Sequence, residues 1–271
     1  MKIYDLKNNL LECDIIKIFM SKHEITKELK IKLVITDNLD EEYKKHLKEY
    51  NKEYDYVSVF EYNGITCIPN TIDETTKLLI NYDKIEKLNE NNLEVICTIF
   101  HELIHAKDYY TYFKNYFNGK YDSSHHRDST YGFTYWSEFN AKRISYYEYC
   151  KIIHGDKIKS NENLSNIINI ELPNHNEEID RLLKDKDSDM EDIIYNLMFY
   201  LGRYSVWEKL FPNEFINNKK FSTELLKYKP IVDELYNLLK NNFGKMNEYE
   251  EIKKYINYIK GRWVNIASHN N

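Results

Sequence analysis

Only 7 glycines and 4 prolines punctuate 271 residues, and a chain with so few backbone breakers has little to stop a helix once its apolar period supports one. A mainly helical protein is expected. The first ninety residues carry the exceptions. Residues 31–36, Ile-Lys-Leu-Val-Ile-Thr, are β-branched and bounded by Asp37 and Asn38, which reads as a strand. Residues 57–62 lead into Asn63-Gly64 and then residues 65–68. Both turn residues accept positive φ, so the pattern predicts a β-hairpin, ended by Pro69. Residues 77–82 add a further strand. A small mixed or antiparallel sheet, preceded by one or two N-terminal helices, is expected.

From Asn91 the apolar period becomes helical. Asn91 and Glu94 have capping-box spacing, and Leu93, Ile96, Phe100, Leu103 and Ile104 form one stripe, predicting a helix that runs to about Tyr112. A polar, aromatic stretch over 114–133 reads as a rim or lid. A second helix is expected from Thr134 as N-cap to His154, with Gly155 as its left-handed cap. Further helices are expected over 189–211 (opened by Ser188 and Glu191, stopped by Pro212), 230–239 and 247–260. The weak joint over 155–163 divides the chain into residues 1–155 and 156–271.

Composition narrows the function classes. No apolar run approaches the roughly 18 residues of a membrane span, and the N-terminus lacks the apolar block of a secretory signal, so the cytoplasm is the expected compartment. A net charge of -6 repels a phosphate backbone and argues against nucleic acid as a partner. Cys13, Cys67, Cys97 and Cys150 form no CxxC pair. They read as small buried hydrophobes rather than a disulfide scaffold or thiolate zinc site.

The chemistry is carried by His101-Glu102-Leu103-Ile104-His105, an HExxH motif. Two His four residues apart stand on one helix face, where both imidazoles can reach one zinc ion. Glu102 projects to the side of that pair and is the candidate general base toward a metal-bound water. A catalytic zinc needs a third protein ligand. Glu138, near the start of the second helix, fits, and Glu148 on the same helix is the alternative. The residues three and six past His105 are Asp108 and Thr111, which rules out the HExxHxxGxxH extension. Asp108 is placed to orient a ligand imidazole, or else is a surface acid. Tyr131, Tyr135, His125, His126, Arg203 and Tyr204 are candidate donors to a developing oxyanion.

The HExxH block followed by a helix-borne Glu138 with Ala141 three residues later resembles the gluzincin branch of the zincin metallopeptidases. The order of sheet, HExxH helix and Glu helix is also similar to small bacterial metallopeptidases that cleave phage repressors. HELIHA occurs in clostridial neurotoxin light chains as well, although no other block of this chain matches them. The resemblance implies an α+β fold with a zincin-like core, a small sheet plus active-site helices, in residues 1–155 and a mainly helical extension over 156–271. It implies zinc held by His101, His105 and Glu138, with Glu102 activating water to hydrolyse a peptide bond of an intracellular protein or peptide. Small Ala106 and Ala141 would let two active-site helices approach closely. The competing expectation is a catalytically silent zincin-like module that binds a protein partner.

Overall fold

The alternating, β-branched run Ile31–Thr36 forms a strand, and the elements around it follow from which of their residues can be buried on its two faces. A computed structural model describes residues 2–4, 14–25, 28–53, 56–60, 62–81, 93–121, 131–154, 164–184, 189–212, 223–227, 229–241 and 245–269. Two compact units result, Met1–Ser123 and Ser124–Asn271. The protein is α+β and mainly helical, and no helix among the described residues is long and apolar enough to cross a membrane.

The first unit holds β1 (Lys2–Tyr4), α1 (Asp14–Lys22), β2 (Ile31–Thr36), α2 (Leu39–Glu49), β3 (Gly64–Cys67), β4 (Thr76–Asn81) and α3 (Leu93–Tyr116). The sheet order is β1-β2-β4-β3. β1, β2 and β4 run parallel, and β3 is antiparallel to β4. The sheet is therefore mixed. One face carries Val34, Ile65, Cys67 and Leu79 against Leu39 and Tyr43 of α2 and Val59. The other carries Leu33, Leu78 and Ile80, all 0% exposed. There α3 packs on β3 and β4, close enough that a Cβ on Gly64 would lie 2.9 Å from Thr98 Cγ2. Phe19 of α1 stacks on Phe100 at 3.9 Å. α2 opens with Asn38, whose side chain accepts from the Glu41 N–H, and with Asp40, Glu41 and Glu42 in its first turn, both of which stabilise a helix start.

The expected hairpin does not form. Residues 56–59 have no regular structure, and β3 pairs with β4 instead. Val59 alone is buried, held because the Asp40 carboxylate accepts from its N–H at 3.2 Å and from the Tyr56 hydroxyl at 2.9 Å. Val57 and Phe60 remain 58% and 70% exposed, so the run has no apolar face to set against a neighbouring strand. Helix α3 exceeds its expected end by one turn and stops where Asn118 and Gly119 adopt φ of 51° and 76°, the left-handed backbone that terminates helices. The expected rim over 114–133 is thus partly helical. Its central residues 122–130, with His125 and His126, lie outside the described residues, as do Asn91, Cys13 and the 155–163 joint.

The second unit is helical: α4 (Tyr131–His154), α5 (Leu164–Lys184), α6 (Met190–Leu210), α7 (Thr223–Leu226), α8 (Lys229–Asn241) and α9 (Met246–His269). α4 begins one turn before Thr134, the expected N-cap. Phe133 is 0% exposed and packs edge-on against Tyr249 at 5.4 Å, so this turn is stabilised by burial against α9. α6 is capped by Asp189, which accepts from the Glu191 N–H at 2.8 Å. α4 and α6 meet at Gly202, where a Cβ would lie 3.0 Å from the Phe139 carbonyl. Phe139, Ala141, Leu201, Trp207, Leu235 and Ile252 fill the core around them, each 0% exposed.

Candidate metal centre

His101 and His105 stand one turn apart on α3, half-buried and buried respectively. Their Nε2 atoms are 2.9 Å apart, and their rings are nearly perpendicular, at 85°. Two ring nitrogens so close satisfy each other only if one carries a proton and the other does not, or both satisfy a cation set between them. Glu138, half-buried on α4, is the third member. One ligand atom from each of His101, His105 and Glu138 lies within 4.8 Å of the other two, and this is the one such cluster among the described residues. The group could hold a metal ion.

A tetrahedral zinc with ligands at about 2.0 to 2.1 Å spaces neighbouring ligand atoms by about 3.3 Å. The two imidazole nitrogens, 2.9 Å apart, stand a little closer than that. Two imidazoles and a carboxylate are also a donor set that suits zinc, so the residues present fit the ion. Glu148 follows Glu138 by ten residues on α4, about 15 Å along the axis, and is not in the cluster.

Glu102 is 5% exposed. The Thr66 hydroxyl of β3 is 2.8 Å from Glu102 Oε2 and 3.0 Å from the Glu102 backbone oxygen, a contact that sequence reasoning missed. The only available sign was a hydroxyl on an otherwise apolar strand, Ile65-Thr66-Cys67-Ile68. The neighbouring Cys67 thiol is pushed up by burial and secondarily by the Glu102 carboxylate, which keeps it an inert hydrophobe. Beyond β3 the chain is pinned at one carbonyl. Ile68 O accepts from His46 Nε2 and from Lys52 Nζ, each at 3.1 Å.

β3 also presents backbone groups. The Asn81 N–H donates to the Asn63 carbonyl at 2.9 Å, which makes these two a hydrogen-bonded pair. By antiparallel alternation Ile65 and Cys67 also bond to β4, and the N–H and C=O of Gly64 and Thr66 point away from it. Among the described residues no strand pairs with that side.

Asp108 is 8% exposed and so is not a surface acid. The Tyr135 hydroxyl donates to the Glu191 carboxylate, Arg203 Nη1 lies 2.6 Å from His175 Nδ1, and Tyr204 packs between the Tyr200 and Tyr236 rings. These contacts employ all three side chains within the second unit. Ala106 and Ala141 are both buried. No protein family, curated protein or solved structure matches the chain.

Proposed function

We propose that the chain is a zinc-dependent metallopeptidase of the gluzincin kind, which hydrolyses a peptide bond of an intracellular protein in the cytoplasm. The observation that carries this reading is the convergence of His101, His105 and Glu138 with a buried Glu102 one residue along from the first ligand. In this reading residues 1–155 are a zincin-like catalytic core and 156–271 its helical extension.

His101, His105 and Glu138 would hold the ion. Zinc bound there supplies Lewis acidity, which polarises a carbonyl and acidifies water. Glu102 takes the proton of the attacking water and returns it to the leaving amine, and its burial beside Thr66 keeps the carboxylate in one orientation for that transfer. The outward N–H and C=O of Gly64 and Thr66 can hold an extended peptide by strand addition, which orients the scissile bond beside Glu102. A peptide is thereby favoured over a compact small molecule, which could not use a row of alternating backbone donors and acceptors.

The test is elemental mass spectrometry of the purified chain beside His105→Ala and Glu138→Ala variants checked for folding, followed by hydrolysis of a mixed fluorogenic peptide library. One zinc per chain, lost in both variants, with hydrolysis abolished in Glu102→Gln, is expected. A chain that takes up no zinc when it is offered refutes the reading. Zinc bound without any hydrolysis assigns the chain to the catalytically silent protein-binding class instead.

A further inference from the structure

Thr66 is the one residue of β3 whose side chain and backbone face two different tasks. Its hydroxyl lies 2.8 Å from Glu102 Oε2 and 3.0 Å from the Glu102 backbone oxygen. Its own N–H and C=O point to the side of β3 that no strand among the described residues pairs with. The hydroxyl has one proton, so it bonds one of the Glu102 oxygens at a time, and a donor aimed at an ionised carboxylate makes the stronger of the two bonds. Threonine is stiff at χ1, and the strand beneath it is registered, with Thr66 opposite Leu78. Two residues on, the Ile68 carbonyl is fixed by His46 and Lys52. The donor is therefore held from the backbone upward.

We infer that Thr66 is a positioning residue for Glu102, which ties the orientation of the proton-accepting carboxylate to the strand edge on which the peptide docks. The inference rests on the metallopeptidase reading. It has a specific consequence: a peptide bonded to the Thr66 backbone and the carboxylate bonded to the Thr66 side chain keep a constant relation, because one residue sets both. A merely structural threonine would contribute shape alone, and valine would replace it without loss.

Three variants separate the two. Thr66→Val keeps the shape and removes the donor, Thr66→Ser keeps the donor, and Glu102→Leu removes the carboxylate acceptor while leaving the backbone oxygen. In the zinc-loaded full chain, Thr66→Val is expected to retain one zinc with unchanged affinity against a competing chelator. It should lose about tenfold or more in kcat on the mixed fluorogenic peptide library while KM stays within about twofold, and Thr66→Ser should recover most of that loss. The contact is read without catalysis by a double-mutant cycle of Thr66→Val and Glu102→Leu on urea unfolding of the metal-free chain. The two effects on the unfolding equilibrium should depart from additivity by about tenfold. Additivity within about twofold overturns the inference, as does a Thr66→Val chain with parental kcat or a Thr66→Ser chain no better than Thr66→Val. A parent chain that binds no zinc or cleaves nothing overturns the metallopeptidase reading and any catalytic role of Thr66 with it, whereas a parent that does both and a cycle that is additive overturn the Thr66 inference alone.

Discussion

Acidification should weaken the sheet unit in part through one buried side chain, His46 of α2. It is 1% exposed, and its Nδ1 is buried with no hydrogen-bond partner, so a second ring proton would have nothing to bond. Burial lowers its pKa from 6.5 to about 4, the bond to Ile68 opposes the shift, and the charges of Lys77 and Lys52 reinforce it. The folded chain then binds fewer protons than the unfolded chain between those two values. Stability is full above the unfolded pKa and is lost as the pH falls through the folded one. The linkage amounts to about 2 kcal/mol between pH 7 and pH 5 and about 3 kcal/mol by pH 4. His46→Leu removes this dependence. The Ile68 carbonyl keeps the Lys52 ammonium at 3.1 Å, so the variant should lie near the parent at pH 7 and gain about 2 kcal/mol on it at pH 5. Urea unfolding of both metal-free chains, followed by circular dichroism at the two pH values, measures the difference while cancelling the acid sensitivity they share. Equal losses in parent and variant, or a His46 ring carbon resonance that titrates near 6.5, would refute the burial argument.

Three further outcomes are expected. Removing a ligand imidazole in His101→Ala should weaken zinc binding at least about 100-fold, read by chelator competition, whereas Glu102→Gln should hold zinc as tightly as the parent and lose about 10²- to 10⁴-fold in hydrolysis. Gly132→Ala would put its Cβ 1.8 Å from the Tyr249 carbonyl oxygen. Neither backbone can yield cheaply, so a loss of about 3 kcal/mol or more is expected in the thermal unfolding of the chain. Gly202→Ala meets Lys142 Cβ at 2.9 Å and the Phe139 carbonyl at 3.0 Å and should cost about 1–3 kcal/mol by the same measurement.

What could be read from the residues alone divides by how far each contact reaches along the chain. His101, Glu102 and His105 were legible because a helix places residues four apart on one face whatever packs around it. The α6 helix was legible for the same reason, down to Pro212 beyond its end. Glu138 was legible as the preferred third ligand from its place near the start of the second helix with Ala141 three residues on, with Glu148 as the alternative, and it is Glu138 that groups with the two histidines. β1 has three residues, too few for any alternation to register. α2 was overlooked although Asn38 and Glu41 stand in cap spacing before it, because its outer face is so polar that the apolar period is faint.

The misread hairpin bears most directly on the proposed chemistry. Asn63-Gly64 is a strong local turn signal, and it lost to burial: Leu79 and the fully buried Leu78 and Ile80 make β4 the better partner for β3, while residues 57–62 could offer only Val59. Closed at Asn63-Gly64, the hairpin would have paired Tyr62 with Ile65 and residue 60 with Cys67, through the same N–H and C=O groups that β3 gives to β4, so the two pairings exclude each other. The competition that defeated the local turn signal thus decides which way the β3 backbone faces: Ile65 and Cys67 bond β4, and the N–H and C=O of Gly64 and Thr66 lie on the side that no strand among the described residues pairs with.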